Sequence, residues 1–140
     1  MQYESFNLEL KKKLQEVSKK YQLKLFIIFG SRQNNNYKIN SDWDFAFYPN
    51  EMFNYKKEMK LFEEIQNILK YDKIDLLNIK TSNNLNVINN IFQKGKLIYE
   101  SKDGLYKLKK WSAWIDLQDF KRYYNMQSKL DEIRLKKLET

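Results

Sequence analysis

The chain has 140 residues, of which 42% are hydrophobic and 16% aromatic. That is enough apolar material for one folded domain, and too little length for a catalytic domain plus a separate substrate domain. It contains no Cys and no His, which excludes disulfides, Cys or His nucleophiles, a His general base and ordinary zinc sites, and leaves oxygen ligands for any metal. The formal charge of +8 is uneven. Residues 31–104 carry eleven basic and ten acidic side chains, so the excess lies in residues 1–30 (six Lys, three Glu) and 105–140 (nine basic, five acidic). Such basic ends can meet nucleic acid, an acidic partner or only water, and solvated helical faces are the favoured reading. No apolar run approaches about 20 residues and no hydrophobic leader follows a basic start, so the expected location is the cytoplasm.

In chain order, Phe6, Leu10, Leu14, Val17 and Tyr21 recur at helical spacing and predict an amphipathic first helix, with most of its lysines off the stripe. Leu23, Leu25, Phe26, Ile27, Ile28 and Phe29 predict an apolar strand running straight into Gly30. A polar loop follows over residues 34–38, expected to border a ligand. Asp42 and Asp44 then lead into Phe45-Ala46-Phe47, a second strand closed by Pro49. Tyr55, Met59, Phe62, Ile65 and Leu69 predict the buried stripe of a second helix, with Glu63 and Glu64 facing solvent. Residues 73–79 predict a third strand. Leu85, Ile88, Ile91 and Phe92 predict a short helix that stops at Gly95, a residue type favoured just past a helix end. Residues 97–100 form a last strand. Beyond Gly104 the chain reads as helical and basic, through Leu108, Trp111, Ile115, Phe120, Tyr124, Met126, Leu130 and Ile133. Most of the aromatics Trp111, Trp114, Tyr123 and Tyr124 are expected in the core, the alternative being a partner surface. The whole reads as an α/β fold with three or four strands.

The chemistry sits between the first three strands. Gly30 permits a tight backbone path that lets a phosphate approach main-chain N–H groups, and Ser31 adds a hydroxyl there. Arg32, beside them, is either a surface charge or a phosphate contact. Asp42 and Asp44 stand two apart at the start of a strand, so their carboxylates share one side. Asp75 lies within Ile74-Asp75-Leu76-Leu77, where burial of an unpaired charge is costly and a metal ion would remove that cost. An isolated Asp-x-Asp is most often solvated surface; the combination of all three segments is what carries the inference.

These residues resemble the minimal nucleotidyltransferases of the polymerase-beta superfamily, and within it the MNT antitoxins that pair with HEPN toxins. Gly30-Ser31 is similar to the family's Gly-Ser, Asp42 and Asp44 to its Asp-x-Asp, and Asp75 to its third acid. The run Ile91-Phe92-Gln93-Lys94-Gly95-Lys96-Leu97-Ile98-Tyr99-Glu100 looks like its helix, Gly and short strand. Three departures concern the loop: Asn35 in place of a frequent Gly, Ile39-Asn40 in place of Pro-Asp, and a bulky Trp43 between the acids.

The resemblance implies a small mixed β-sheet flanked by helices, with a minimal nucleotidyltransferase domain over residues 1–104. Residues 105–140 would be a helical extension packed on that domain or on a partner. It further implies Asp42, Asp44 and Asp75 as catalytic and metal-binding, two Mg²⁺ ions, and Gly30, Ser31 and Arg32 as nucleotide-binding. The implied reaction is transfer of AMP from ATP to a tyrosine of a HEPN ribonuclease toxin held in a hetero-oligomer. Two alternatives stay open: an aminoglycoside-type small-molecule transferase, and a catalytically silent antitoxin acting by binding alone.

Overall fold

A computed structural model describes residues 3–34 and 37–139, so Asn35 and Asn36 of the polar loop lie outside the described residues. The first helix, α1 (Leu8–Lys20), is capped by Asn7, whose Oδ1 accepts the Leu10 N–H at 2.9 Å. Its Leu10, Leu14 and Val17 are buried. Strand β1 (Leu25–Phe29) is buried along nearly its whole length, the signature of a central strand covered on both faces. It ends in Gly30 and a single 3-10 turn over Ser31–Gln33. Strand β2 (Trp43–Tyr48) returns antiparallel to β1, placing Phe29 opposite Asp44.

Helix α2 (Tyr55–Leu69), capped by Asn54, crosses over to strand β3 (Ile74–Asn78), which lies parallel to β2. Helix α3 (Leu85–Lys94) leads to β4 (Lys96–Glu100), antiparallel to the other side of β1. The sheet order is β3-β2-β1-β4, so the four-stranded mixed sheet implied by the resemblance is present. A last helix, α4 (Leu105–Glu139), has 35 residues and is about 50 Å long at 1.5 Å per residue.

Strand alternation divides the core in two. Phe26, Ile28, Trp43, Phe45 and Phe47 pack with α1 and with Leu61, Ile65 and Leu69 of α2. Leu25, Ile27 and Ala46 pack on the opposite face with Ile88, Ile91 and Phe92 of α3 and Ala113 of α4.

Two expectations need correction. The buried stripe of α2 begins a turn later than its apolar spacing suggested: Tyr55 and Met59 are 73% and 49% exposed, and Leu61 takes the inward position. Gly95 ends α3 as the sequence predicts, at a φ of −76°. It is needed for space, because a Cβ there would meet Ile91 O at 2.5 Å and Ile27 Cγ2 at 2.8 Å. Finally, the α4 aromatics are not core. Trp111, Trp114, Tyr123 and Tyr124 are all exposed, and only Ala113 and Leu117 of this helix are buried.

Candidate active site

The sheet brings two of the acids together through register alone. Asp44 on β2 stands beside Asp75 on β3 in a parallel pair, and alternation places both on the face they share with Ala46 and Leu77. Asp75 is exposed at the sheet edge, Asp44 is half-buried, and Asp42 is exposed just before β2 begins. Burial pushes the Asp44 carboxyl up from 3.8 to about 6, and the negative charges of Asp75 and then Asp42 add to the effect. All three acids are therefore electrostatic neighbours. Among the described residues no three of them close into a ready-made coordination cage.

The turn after β1 meets this cluster directly. Gly30 has φ 76° and ψ −168°, a conformation essentially reserved for glycine. A Cβ at Gly30 would fall on the Asp44 carboxylate, 3.0 Å from its Cγ. The glycine is thus required both by its backbone angles and by the acid against its α-carbon. Ser31 is exposed where the turn begins. Lys96 Nζ donates to Gln33 O at 3.0 Å, tying the far end of the turn to β4.

Arg32 has a different part from the phosphate contact expected of it. Its side chain is only 1% exposed. One guanidinium nitrogen donates to Glu4 O at 2.7 Å, and Nε and the other terminal nitrogen donate to Ser41 O at 3.3 and 3.2 Å. The cation lies over the rings of Tyr37, Trp43 and Tyr71 at 4.3, 5.4 and 5.5 Å. Ser41 immediately precedes Asp42, so Arg32 fastens the acid loop to the glycine turn. The guanidinium is buried and each of its nitrogens donates to a backbone carbonyl, so Arg32 turns inward and ties these segments together.

Trp43, the bulky residue between the two acids, is explained by the same arrangement. It points to the opposite face from Asp44, is fully buried, and stacks on Phe45 at 6.1 Å between centroids. Asn40 takes a left-handed φ of 71°, which Asn tolerates better than most residues. Neither Tyr71, whose hydroxyl donates to Ser41 O at 3.3 Å, nor the structural use of Arg32 is visible in the sequence. The groups that meet here come from separate stretches of the chain, around Glu4, Arg32, residues 37–43 and Tyr71.

The donor set suits a hard divalent cation: carboxylate oxygens only, crowded enough that Asp44 resists ionisation without a compensating positive charge. A glycine turn with an exposed hydroxyl lies alongside. The arrangement can gather a phosphate chain and a cation at one end of the sheet.

The profile of the polymerase beta nucleotidyltransferase family matches residues 12–104. No curated protein matches the chain significantly. Among solved structures, a mutant form of the toxin–antitoxin pair MntA–HepT is similar with a TM-score of 0.63 at 19% identity, covering 81% of this chain and 94% of that chain. A toxin–antitoxin structure with AMP-PNP has a TM-score of 0.62 at 19% identity, covering 81% and 94%. A third, described as a tri-AMPylated Shewanella oneidensis HEPN toxin in complex with MNT antitoxin, has a TM-score of 0.57 at 19% identity, covering 81% and 91%.

Proposed function

Because the chain belongs to the polymerase beta nucleotidyltransferase family, we propose that it is an antitoxin that transfers AMP from ATP to a tyrosine of a HEPN-type ribonuclease toxin. The observation that carries this is the Asp44–Asp75 register pair with the Gly30 turn laid against the Asp44 carboxylate. The acceptor is proposed from the relatives: one is described as AMPylated toxin with its antitoxin, another as a complex with an ATP analogue.

In this reading residues 1–104 form the transfer unit. Gly30 and Ser31 hold the β- and γ-phosphates. Asp42 and Asp44 would hold two Mg²⁺ ions between them, with Asp75 completing the site on the acceptor side. When bound, Mg²⁺ neutralises charge developing on the attacking and leaving oxygens. The tyrosine oxygen forms a bond to the α-phosphorus as the bond to pyrophosphate breaks. Asp75, exposed at the sheet edge, takes the phenolic proton. A chain without His needs no other base. No helix among the described residues is long and apolar enough to cross a membrane.

The test is intact-mass analysis of a HEPN toxin from the same operon after incubation with the chain, ATP and MgCl₂. The expected result is a mass gain of whole AMP units on toxin tyrosine, lost with Asp42→Asn or Asp44→Asn. A toxin that is neutralised yet unmodified would assign the protein to inhibition by binding alone. A toxin neither modified nor neutralised would overturn the reading.

A further inference from the structure

From residue 118 onward no described residue of α4 is buried. Yet Tyr123, Met126, Leu130 and Ile133 recur at alternating steps of three, four and three, and are 60%, 56%, 38% and 51% exposed. That alternation is the a/d pattern of a coiled-coil seam. The positions bordering it share one sign of charge. Arg122, Lys129 and Lys136 form a row seven residues apart along one side, and Arg134 lies on the other with Gln127. The neighbouring acids Asp131 and Glu132 fall on positions outside these flanks, although Asp131 makes an exposed ion pair with Arg134 at 3.7 Å.

We infer that this seam docks a helix of a partner protein whose own apolar stripe is bordered by Asp and Glu. The charges decide between occupants. A second copy in parallel would set Lys129 against Arg134, and an antiparallel copy would oppose the row of Arg122, Lys129 and Lys136 to itself. Like charges at these positions destabilise pairing, and two heptads of seam are too few to offset it. Nucleic acid would answer the cations alone, whereas the strip between them is apolar. An acid-flanked helix satisfies both features and gains on-rate from the complementary charge. This inference is independent of the transferase reading, since no nucleotide enters its test.

The probe is a labelled peptide of about four heptads with Ile and Leu at a and d and Glu at e and g, whose own acid flanks keep it from self-pairing. It is titrated with the full chain by fluorescence anisotropy. The control peptide carries Lys at e and g. The acidic peptide is expected to bind in the micromolar range and the basic one not to bind, with affinity falling at least about tenfold on raising sodium chloride to about 0.5 M. Leu130→Asp, on an exposed helical turn that leaves the sheet core untouched, is expected to weaken binding at least about tenfold at unchanged melting temperature. Lys129→Glu with Lys136→Glu is expected to reverse the preference between peptides. Absence of binding, equal binding of both peptides, or a chain dimer that Leu130→Asp dissolves would overturn the inference. Tighter binding to an RNA oligonucleotide or to phosphatidylglycerol vesicles, lost with the same substitution, would overturn it as well.

Discussion

Replacing Arg32 by Ala separates the structural assignment of this residue from the phosphate contact its sequence position suggested. The substitution removes a 2.7 Å charge-assisted bond to Glu4 O and the paired bonds at 3.2 and 3.3 Å to Ser41 O. The first is worth about 2 kcal/mol and the longer pair, sharing one acceptor, about 1 kcal/mol. Loss of the three ring contacts and the cavity left behind add about 2 kcal/mol. The desolvation cost of the buried cation is recovered on truncation and offsets about 2 kcal/mol. The net destabilisation is about 3 kcal/mol, a large part of the stability of a domain this size. Urea unfolding followed by Trp fluorescence is well placed to read it, because the Trp43 ring itself lies 5.4 Å from the guanidinium. Arg32→Lys keeps the charge but not the fork of donors, and is expected to recover less than half of the loss. An Arg32→Ala variant within about 0.5 kcal/mol of the parent, but with ATP binding weakened more than about tenfold, would refute the inward-facing role and restore the phosphate contact.

Asp44 makes a pH prediction with a sign opposite to that of a salt-bridged acid. Its pKa is raised from 3.8 to about 6 in the fold, so the native state binds this proton more tightly than the unfolded chain does. The metal-free protein therefore carries the full cost of the charge above pH about 6 and loses that cost as pH falls toward 4. The rise would correspond to about 3 kcal/mol in a dry site, and solvent around the half-exposed carboxylate reduces it to about 1 kcal/mol. Asp44→Asn should gain that amount on the parent in urea melts between pH 4 and 7 while losing AMP transfer; a pH-independent difference would refute it. Magnesium should raise the melting temperature of the parent above pH about 6 and leave Asp44→Asn unmoved. Gly30→Ala, strained at φ 76° and driven into Asp44, is expected to cost about 2 kcal/mol in urea melts and more than about a hundredfold in transfer rate. Ser31→Ala, at an exposed hydroxyl, should leave stability unchanged within about 0.5 kcal/mol and weaken ATP about tenfold by calorimetry.

What was legible in the sequence depended on whether the causes lay close together in the chain. The strands announced themselves through apolar runs, and β1 through its abrupt end at Gly30. Caps at Asn7, Asn54 and Asn84 each act on an N–H three residues on, so helix starts follow from local sequence. The role of Arg32 does not, because its partners Glu4, Ser41 and Tyr71 are distant in sequence and become neighbours only in the fold. A charged residue beside Gly-Ser looks the same whether it turns inward or outward. The aromatics of α4 misled for a related reason: helical spacing reveals a stripe but not what covers it. Both sheet faces are already filled, by α1 and α2 on one side and by α3 with the first turns of α4 on the other.

The meeting of the acids with the turn, by contrast, follows from topology once the strand order is known. An antiparallel β1–β2 pair puts the end of β1 beside the start of β2, hence Gly30 beside Asp44. A helical crossover returns the chain to the same end and makes β3 parallel to β2, hence Asp75 beside Asp44. No side-chain attraction is needed to gather them. Burial first, and then repulsion from Asp75 and Asp42, raises the Asp44 pKa, so the carboxylates oppose their own gathering. A fold that holds like charges together through its sheet pairing, with Arg32 fastening the acid loop, keeps an electrostatic cost in its resting state. Under the proposed function a bound cation would relieve that cost, so the sheet that defines the site would also supply part of its affinity for the cation.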